Sequence, residues 1–216
     1  IVRSPISSAA GTPGQGIQMR HGPYAGRLVL VLRRWPGLEM YAIYSDDGGD
    51  TWIRGAEVDE SQVDGGGDEV QVAERVDGTL MLNTRRAGGA TLRKIASSFE
   101  GGATWTPLED STLIEPTCDA GFHRFTDPLD VQSSRLLYVG PYSTSSRVNG
   151  SLHVSYDEGA SWPVRKTVYP GGYAYSKVTT LPDNRIGVLF ERDGYAHVSF
   201  LAVTLDWLTD GADALA

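Results

Sequence analysis

The sequence predicts an all-β fold assembled from repeated antiparallel sheets. Three observations carry that prediction. A Ser-to-Trp turn motif occurs three times, a turn-then-strand pattern occurs four times, and the 26 glycines and 11 prolines are spread along the 216 residues instead of being gathered in one tract. Many short strands joined by tight turns require that distribution, because glycine supplies positive φ and proline presets the first turn residue.

The first repeat reads "SDDGGDTW" at Ser45 to Trp52, "SFEGGATW" at Ser98 to Trp105 and "SYDEGASW" at Ser155 to Trp162, with separations of 53 and 57 residues. All fit S-x-[DE]-x-G-x-[ST]-W, and each follows a β-rich run, "MYAIY", "LRKIAS" or "SLHV". A hairpin turn at the end of a strand is therefore expected, with Ser and the acidic residue bonding backbone amides, Gly taking positive φ and Trp packing at the start of the next strand.

The second repeat is "AGRLVLVLR", "DGTLMLNTR", "SSRLLYVG" and "DNRIGVLFER". Taking Leu28, Leu80, Leu136 and Ile186 as equivalent gives steps of 52, 56 and 50 residues. Units of that length, each with several strands, are the signature of a β-propeller, whose blades are four-stranded sheets set around an axis. The chain holds about four blades' worth within one expected domain spanning 1–216. Its last unit, "AHVSFLAVTLDWL", ends with a third strand, so a closing outer strand is expected from elsewhere.

The formal net charge of −8 argues against a nucleic-acid partner, which requires a concentrated positive surface. An anionic ligand would have to be held by local arginines. Cys118 is the sole cysteine, which excludes an internal disulfide and a thiolate metal cluster. No apolar run approaches the roughly 20 residues that span a bilayer. The chain begins at Ile1 without a Met, and processing or truncation upstream is expected.

Radial repetition brings equivalent positions of successive blades to one end of the axis. Eleven residues before the reference positions stand Ile17, Glu69, Phe125 and Tyr175; five after them stand Arg33, Arg85, Pro141 and Glu191. Two units thus carry polar pairs at one spacing, Glu69 with Arg85 and Tyr175 with Glu191. Each pair flanks a hairpin, turned at "VDGT" or "PDNR". A strict two-residue loop would set Glu69 opposite Arg86, and a longer loop or bulge would set it opposite Arg85. Taken singly, such residues are more often surface ion pairs or packing residues. His21, His123, His153 and His197 lack metal-ligand spacing, and no G-x-S-x-G elbow is present, so neither a metal nor another cofactor is expected.

The segments "GQGIQMRHGPYAGRLVLV", "SDDGGDTW", "DEVQVAERVDGTLMLNTR", "SSRVNGSLHVSYDEGASWP" and "YAYSKVTTLPDNRIGVLFER" resemble the sialidases (neuraminidases), six-bladed propellers carrying repeated Asp boxes. The Glu-to-Arg and Tyr-to-Glu segments are the specific part of the match. The resemblance implies an exo-α-sialidase that removes terminal sialic acids from glycoconjugates with retention. It makes Tyr175 the nucleophile, Glu69 its general base, Arg85 and Arg147 two members of the arginine triad on the substrate carboxylate, and Glu191 the support of the remaining arginine. It selects Arg85 over Arg86, and with the repeat offset it favours Tyr175 over Tyr173, which shares its strand face. That remaining arginine and the acid/base Asp find no match in the chain, which resembles the last four blades; the N-terminal blades would come from another segment or chain. At "TCDAGFHRF", Asp119 and Gly121 stand where many relatives have Gln and Ser.

The chemistry explains those residue types. Sialic acid carries a carboxylate on its anomeric carbon, so a neutral phenol avoids the repulsion that a carboxylate nucleophile would meet. A phenol of pKa about 10 needs an adjacent base. Arginine's planar fork gives a carboxylate two parallel hydrogen bonds. Two other readings are a non-catalytic sialic-acid or glycan-binding Asp-box propeller, and a propeller serving another glycan or as a protein scaffold. Extracellular glycoconjugate substrates suggest secretion.

Overall fold

The computed structural model describes residues 9–34, 37 and 39–215. The chain divides into two compact units between Ser111 and Thr112. In the first, one sheet contains β1 (Ala9–Gly11), β2 (Ile17–Gln18), β3 (Leu28–Arg34), β4 (Met40–Ser45) and β5 (Ile53–Glu57). A second sheet runs in sequence order through β6 (Gly67–Glu74), β7 (Leu80–Arg86), β8 (Leu92–Ser98) and β9 (Glu109–Ile114), the last crossing the division. The second unit holds a six-stranded sheet, β10 (Gly121–Thr126), β11 (Arg135–Pro141), β12 (Val148–Ser155), β13 (Val164–Thr180), β14 (Ile186–Arg192) and β15 (His197–Val203), followed by the single turn α1 (Leu205–Leu208).

Alternation along each strand builds the cores. In the first unit Val29 and Val31, Val70 and Val72, and Leu80 and Leu82 point into one apolar cluster with Met40, Ala42 and Leu108. In the second, Leu137 and Val139, Leu152 and Val154, and Ile186 and Val188 do the same. Each such side chain stabilises its unit by about 1.5–3 kcal/mol through the apolar surface it removes from water.

The three repeated Ser-to-Trp motifs are turns held by their own side chains. Ser45 Oγ accepts from Gly49 N at 2.9 Å, and Asp47 Oδ1 accepts from Thr51 N at 2.9 Å. Gly159 N donates to Ser155 Oγ at 2.9 Å and Ser161 N to Asp157 Oδ1 at 2.8 Å, while Gly102 N donates to Ser98 Oγ at 2.8 Å and Thr104 Oγ1 to Glu100 at 2.8 Å. Glu at the acidic position is tolerated because it too reaches the hydroxyl six positions into the motif.

Two features depart from the repeat arithmetic. In the first sheet the innermost strand is split, so Ile17 pairs with Val29 and Arg33 with Ala10; Ile17 is not the counterpart of Glu69. A 3-10 turn at Gly22–Tyr24 lengthens that hairpin. In the second unit β13 is one continuous strand of 17 residues that pairs with β12 as far as Gly172 and with β14 from Tyr173. Pro170 is accommodated because the pairing with β12 shifts register around it, where a missing N–H breaks no ladder bond.

Candidate active site

The β6–β7 hairpin decides which arginine faces Glu69. Arg75 N donates to Thr79 O at 2.8 Å, so the loop is the three residues Val76, Asp77 and Gly78. Gly78 has φ +83, and Asp77 Oδ1 accepts from Thr79 N at 2.9 Å. Three residues, not two, set Glu74 opposite Leu80 and Val70 opposite Thr84, a register that brings Arg85 across from Glu69. Between Gly67 and Val70 the strand bulges. Thr84 Oγ1 fills the bulge, 2.9 Å from Asp68 N and 3.1 Å from Glu69 O. A Cβ on Gly67 would lie 2.4 Å from Met40 Cε and 2.8 Å from Thr84 Cγ2, which explains a residue without one beside the bulge.

The bulge aims two acidic side chains at two arginines. Arg85 Nη1 donates to Glu69 Oε2 at 2.7 Å, while Arg85 Nε donates to Asp68 Oδ2 at 3.1 Å and Nη2 donates to the same oxygen. Arg33 donates to Asp68 Oδ1. All four side chains are between 10% and 17% exposed, so the pairs are partly desolvated and stronger than surface ion pairs. Asp68 and Arg33 were not singled out from the sequence. Asp68 is adjacent to Glu69 and Arg33 is at the offset of Arg85, but their meeting depends on two sheets packing together.

The β13–β14 hairpin repeats this geometry. Leu181 N donates to Arg185 O at 2.8 Å, so Pro182, Asp183 and Asn184 form another three-residue loop, with Asn184 at φ +62 where the first has Gly78. Thr180 lies opposite Ile186 and Ser176 opposite Phe190, and a register shift falls between Tyr173 and Ser176. Tyr175 therefore occupies the bulge position that Glu69 occupies in β6, and Glu191 the strand position of Arg85. Glu191, half-buried, pairs in backbone register with Val198 of β15.

Arg147 meets Tyr175 directly. The Arg147 backbone carbonyl accepts from Tyr173 N at 2.7 Å, and its guanidinium carbon lies 5.5 Å from the centroid of the half-buried Tyr175 ring. Arg147 Nη2 donates to Thr117 O at 2.8 Å, and Nη1 donates to the Tyr195 hydroxyl. Tyr195 stands at φ 70, between Gly194 and Ala196 in the β14–β15 turn, and no sequence signal marks it. Tyr173 is a core residue: it is 1% exposed, stacks on Phe190 at 4.8 Å, and burial pushes its hydroxyl well above the ordinary phenol pKa. Asp119 is fully buried and accepts from Lys177 Nζ at 2.6 Å.

Glu69 and Arg85 thus belong to the first unit, and Arg147, Tyr175 and Glu191 to the second. The first group pairs two carboxylates with two guanidiniums. The second sets a guanidinium against a phenol.

The chain is 36% identical over 203 residues to a sialidase of Micromonospora viridifaciens, a match covering 90% of this chain and 30% of that protein. It is 30% identical over 196 residues to the anhydrosialidase of Macrobdella decora, covering 83% of this chain and 25% of that one. The chain thus spans about a third or less of these relatives' length. Among solved structures, the leech intramolecular trans-sialidase complexed with 2,7-anhydro-Neu5Ac superposes with a TM-score of 0.80 at 27% identity, over 94% of this chain and 33% of that one. The intramolecular trans-sialidase from Ruminococcus gnavus, in complex with oseltamivir carboxylate, does so at 0.79 and 27%, over 93% and 45%. The fold is that of the β-propeller, and the match of residues 12–190 to the BNR repeat-like domain places the chain in that family.

Proposed function

We propose that the protein is an exo-α-sialidase that releases terminal sialic acid from glycoconjugates with retention of configuration. The observation that supports this reading most is the matched placement of Glu69 and Tyr175. Each sits in the same bulge of an equivalent hairpin, one ion-paired to Arg85 and the other under the Arg147 guanidinium.

In this reading the Tyr175 Oη bonds to the anomeric carbon as the bond to the aglycone oxygen breaks, and the phenolic proton passes to Glu69. The leaving oxygen takes its proton from an acid outside these five residues. Water then attacks the anomeric carbon from the face that the aglycone left, giving its proton to the conjugate base of that external acid, while the bond to Tyr175 Oη breaks and Glu69 returns the proton to the phenol. Arg85 and Arg147 hold the substrate carboxylate through their forked donors, which also offset the repulsion from a chain of net charge −8. Glu191 supports the remaining arginine of the triad. Substrates of this kind outside the cell would go with secretion, and the remaining blades would come from another segment or chain.

The test is fluorophore release from an aryl sialoside by the intact protein and by Tyr175→Phe. Turnover by wild type that survives unchanged in the variant removes Tyr175 as nucleophile. Tight binding of sialic acid without turnover favours a non-catalytic glycan-binding propeller. A second product is worth measuring, because two of the similar structures are described as intramolecular trans-sialidases. Release of a 2,7-anhydro sugar instead of free sialic acid would assign that chemistry here.

A further inference from the structure

Beside β12 and β13 lies a cavity of about 450 Å³, lined by Leu113, Tyr142, His153, Ser161, Trp162 and Arg165 among others. None of these belongs to the site described above. The volume lies within the roughly 300–1,000 Å³ typical of small-molecule sites. Its wall is aromatic. The His153 ring lies 5.6 Å from Tyr142 and 6.5 Å from Trp162, with Tyr138 packed behind it at 5.4 Å. Arg165, the cross-strand partner of His153, extends its guanidinium over Tyr142 at 4.0 Å. Tyr142 and Trp162 are half-buried while Ser161 and Arg165 are exposed, so these form the mouth and His153 the floor.

His153 is the informative residue. In the two other sheets with a Ser-to-Trp motif, the residue two before the serine is Ile43 or Ala96, both buried and apolar. Here the same position carries an imidazole that is 3% exposed, whose Nε2 is buried without a hydrogen-bond partner among the described residues. Burial and the nearby Arg165 hold its pKa down at about 3, so the ring is neutral and has one donor and one acceptor nitrogen. A buried polar atom without a partner is destabilising, and an apolar residue would fit this strand without that penalty.

We propose that this cavity is a second carbohydrate site, taking a neutral pyranose. The apolar face of the sugar stacks on Trp162 and Tyr142, and its hydroxyls bond Ser161, the Arg165 guanidinium and His153 Nε2. A pyranose has the required combination, one face of C–H groups and an edge of hydroxyls, which suits aromatic walls with a few convergent polar groups. A neutral ring suits a floor whose imidazole carries no charge. Nε2 is covered in the free protein, so its engagement requires neighbouring side chains to move, and the exposed Arg165 guanidinium stacked on Tyr142 is one that can. Such a movement is easy for a long side chain whose stacking contact is at the surface.

The experiment is titration of the intact protein with methyl β-D-galactopyranoside and methyl β-D-glucopyranoside, followed by saturation-transfer NMR. Expected is saturable, millimolar binding of at least one glycoside, weakened about fivefold or more by Tyr142→Ala and by Arg165→Ala, about 1 kcal/mol by the logarithmic relation of affinity to free energy. His153→Phe, which keeps an aromatic floor and removes the nitrogens, also weakens binding while the protein stays folded by circular dichroism. Arg147→Ala leaves the affinity unchanged. Absence of saturable binding to both glycosides overturns the proposal. So does binding that is indifferent to Tyr142→Ala and Arg165→Ala, or binding lost in Arg147→Ala.

Discussion

Glu69 and Arg85 face each other across the β6–β7 hairpin, with Nη1 2.7 Å from Oε2, because the loop joining their strands has three residues and not two. The β13–β14 hairpin has the same loop length and the same bulge, and it presents Tyr175 and Glu191 in the corresponding places. One local rule, loop length, therefore decides which side chains two blades offer as candidates for chemistry.

Arg85 donates to Asp68 and Glu69 together, which a planar fork can do and a point charge cannot. Arg85→Lys is therefore expected to lower kcat/KM on an aryl sialoside about 10- to 100-fold, equivalent to about 1.4–2.7 kcal/mol. The folded protein should remain intact, as judged by its circular dichroism spectrum. Unchanged kinetics would remove Arg85 from the substrate-binding role.

Tyr173 and Tyr175 stand two residues apart on β13, but a register shift falls between Tyr173 and Ser176, and of the two only Tyr175 is half-buried against a guanidinium. Tyr173 is 1% exposed and stacks on Phe190. Tyr173→Phe keeps that stack and should leave kcat within about threefold of wild type, whereas Tyr175→Phe should lower it by at least about 10³-fold, the scale seen when a nucleophile is removed. The reverse ranking in a steady-state assay would exchange their roles.

Gly78 at φ +83 and Asn184 at φ +62 occupy the same turn position. A β-branched residue there is strained, so Gly78→Val should destabilise the first unit by about 1–2 kcal/mol. Asn184→Gly should be neutral or stabilising by a few tenths of that. Urea denaturation of both variants compares the two turns; equal and negligible effects would mean that the loops relax freely.

Much of this arrangement was legible in the sequence because it is local. The Ser-to-Trp motifs announce their turns, since Ser45, Asp47 and Thr51 bond to one another within seven residues. Glu69 and Tyr175 were found by equal offsets, and the offsets hold where the hairpins have equal loops. They fail in the first sheet, where a 3-10 turn at Gly22–Tyr24 lengthens the hairpin and Arg33 pairs with Ala10. The continuity of β13 was not legible, because "YPGG" reads as a turn while the register shift around Pro170 lets the strand continue. Neither were Arg33 with Asp68 nor Arg147 with Tyr195, since each contact joins strands or turns distant in sequence.

The motif that looked most acidic yields a prediction about stability, not catalysis. Asp47 is held at a pKa of about 2, chiefly by the hydroxyl of Thr51, then by the Thr51 amide and the Ser45 hydroxyl. In the unfolded chain the same carboxyl titrates near 3.9. A folded-state pKa below the unfolded one means that the unfolded chain binds the proton more tightly, so protonation favours unfolding. The contribution is complete above about pH 5, declines as pH falls through 4, and is gone below about 2. Asp47→Asn does not titrate there. The variant should have a lower urea midpoint than wild type at pH 7, and most of the gap should be lost as the pH is taken to 2.5. A gap that remains constant from pH 7 to 2.5 would show that these hydrogen bonds do not favour the ionised carboxylate over the protonated acid.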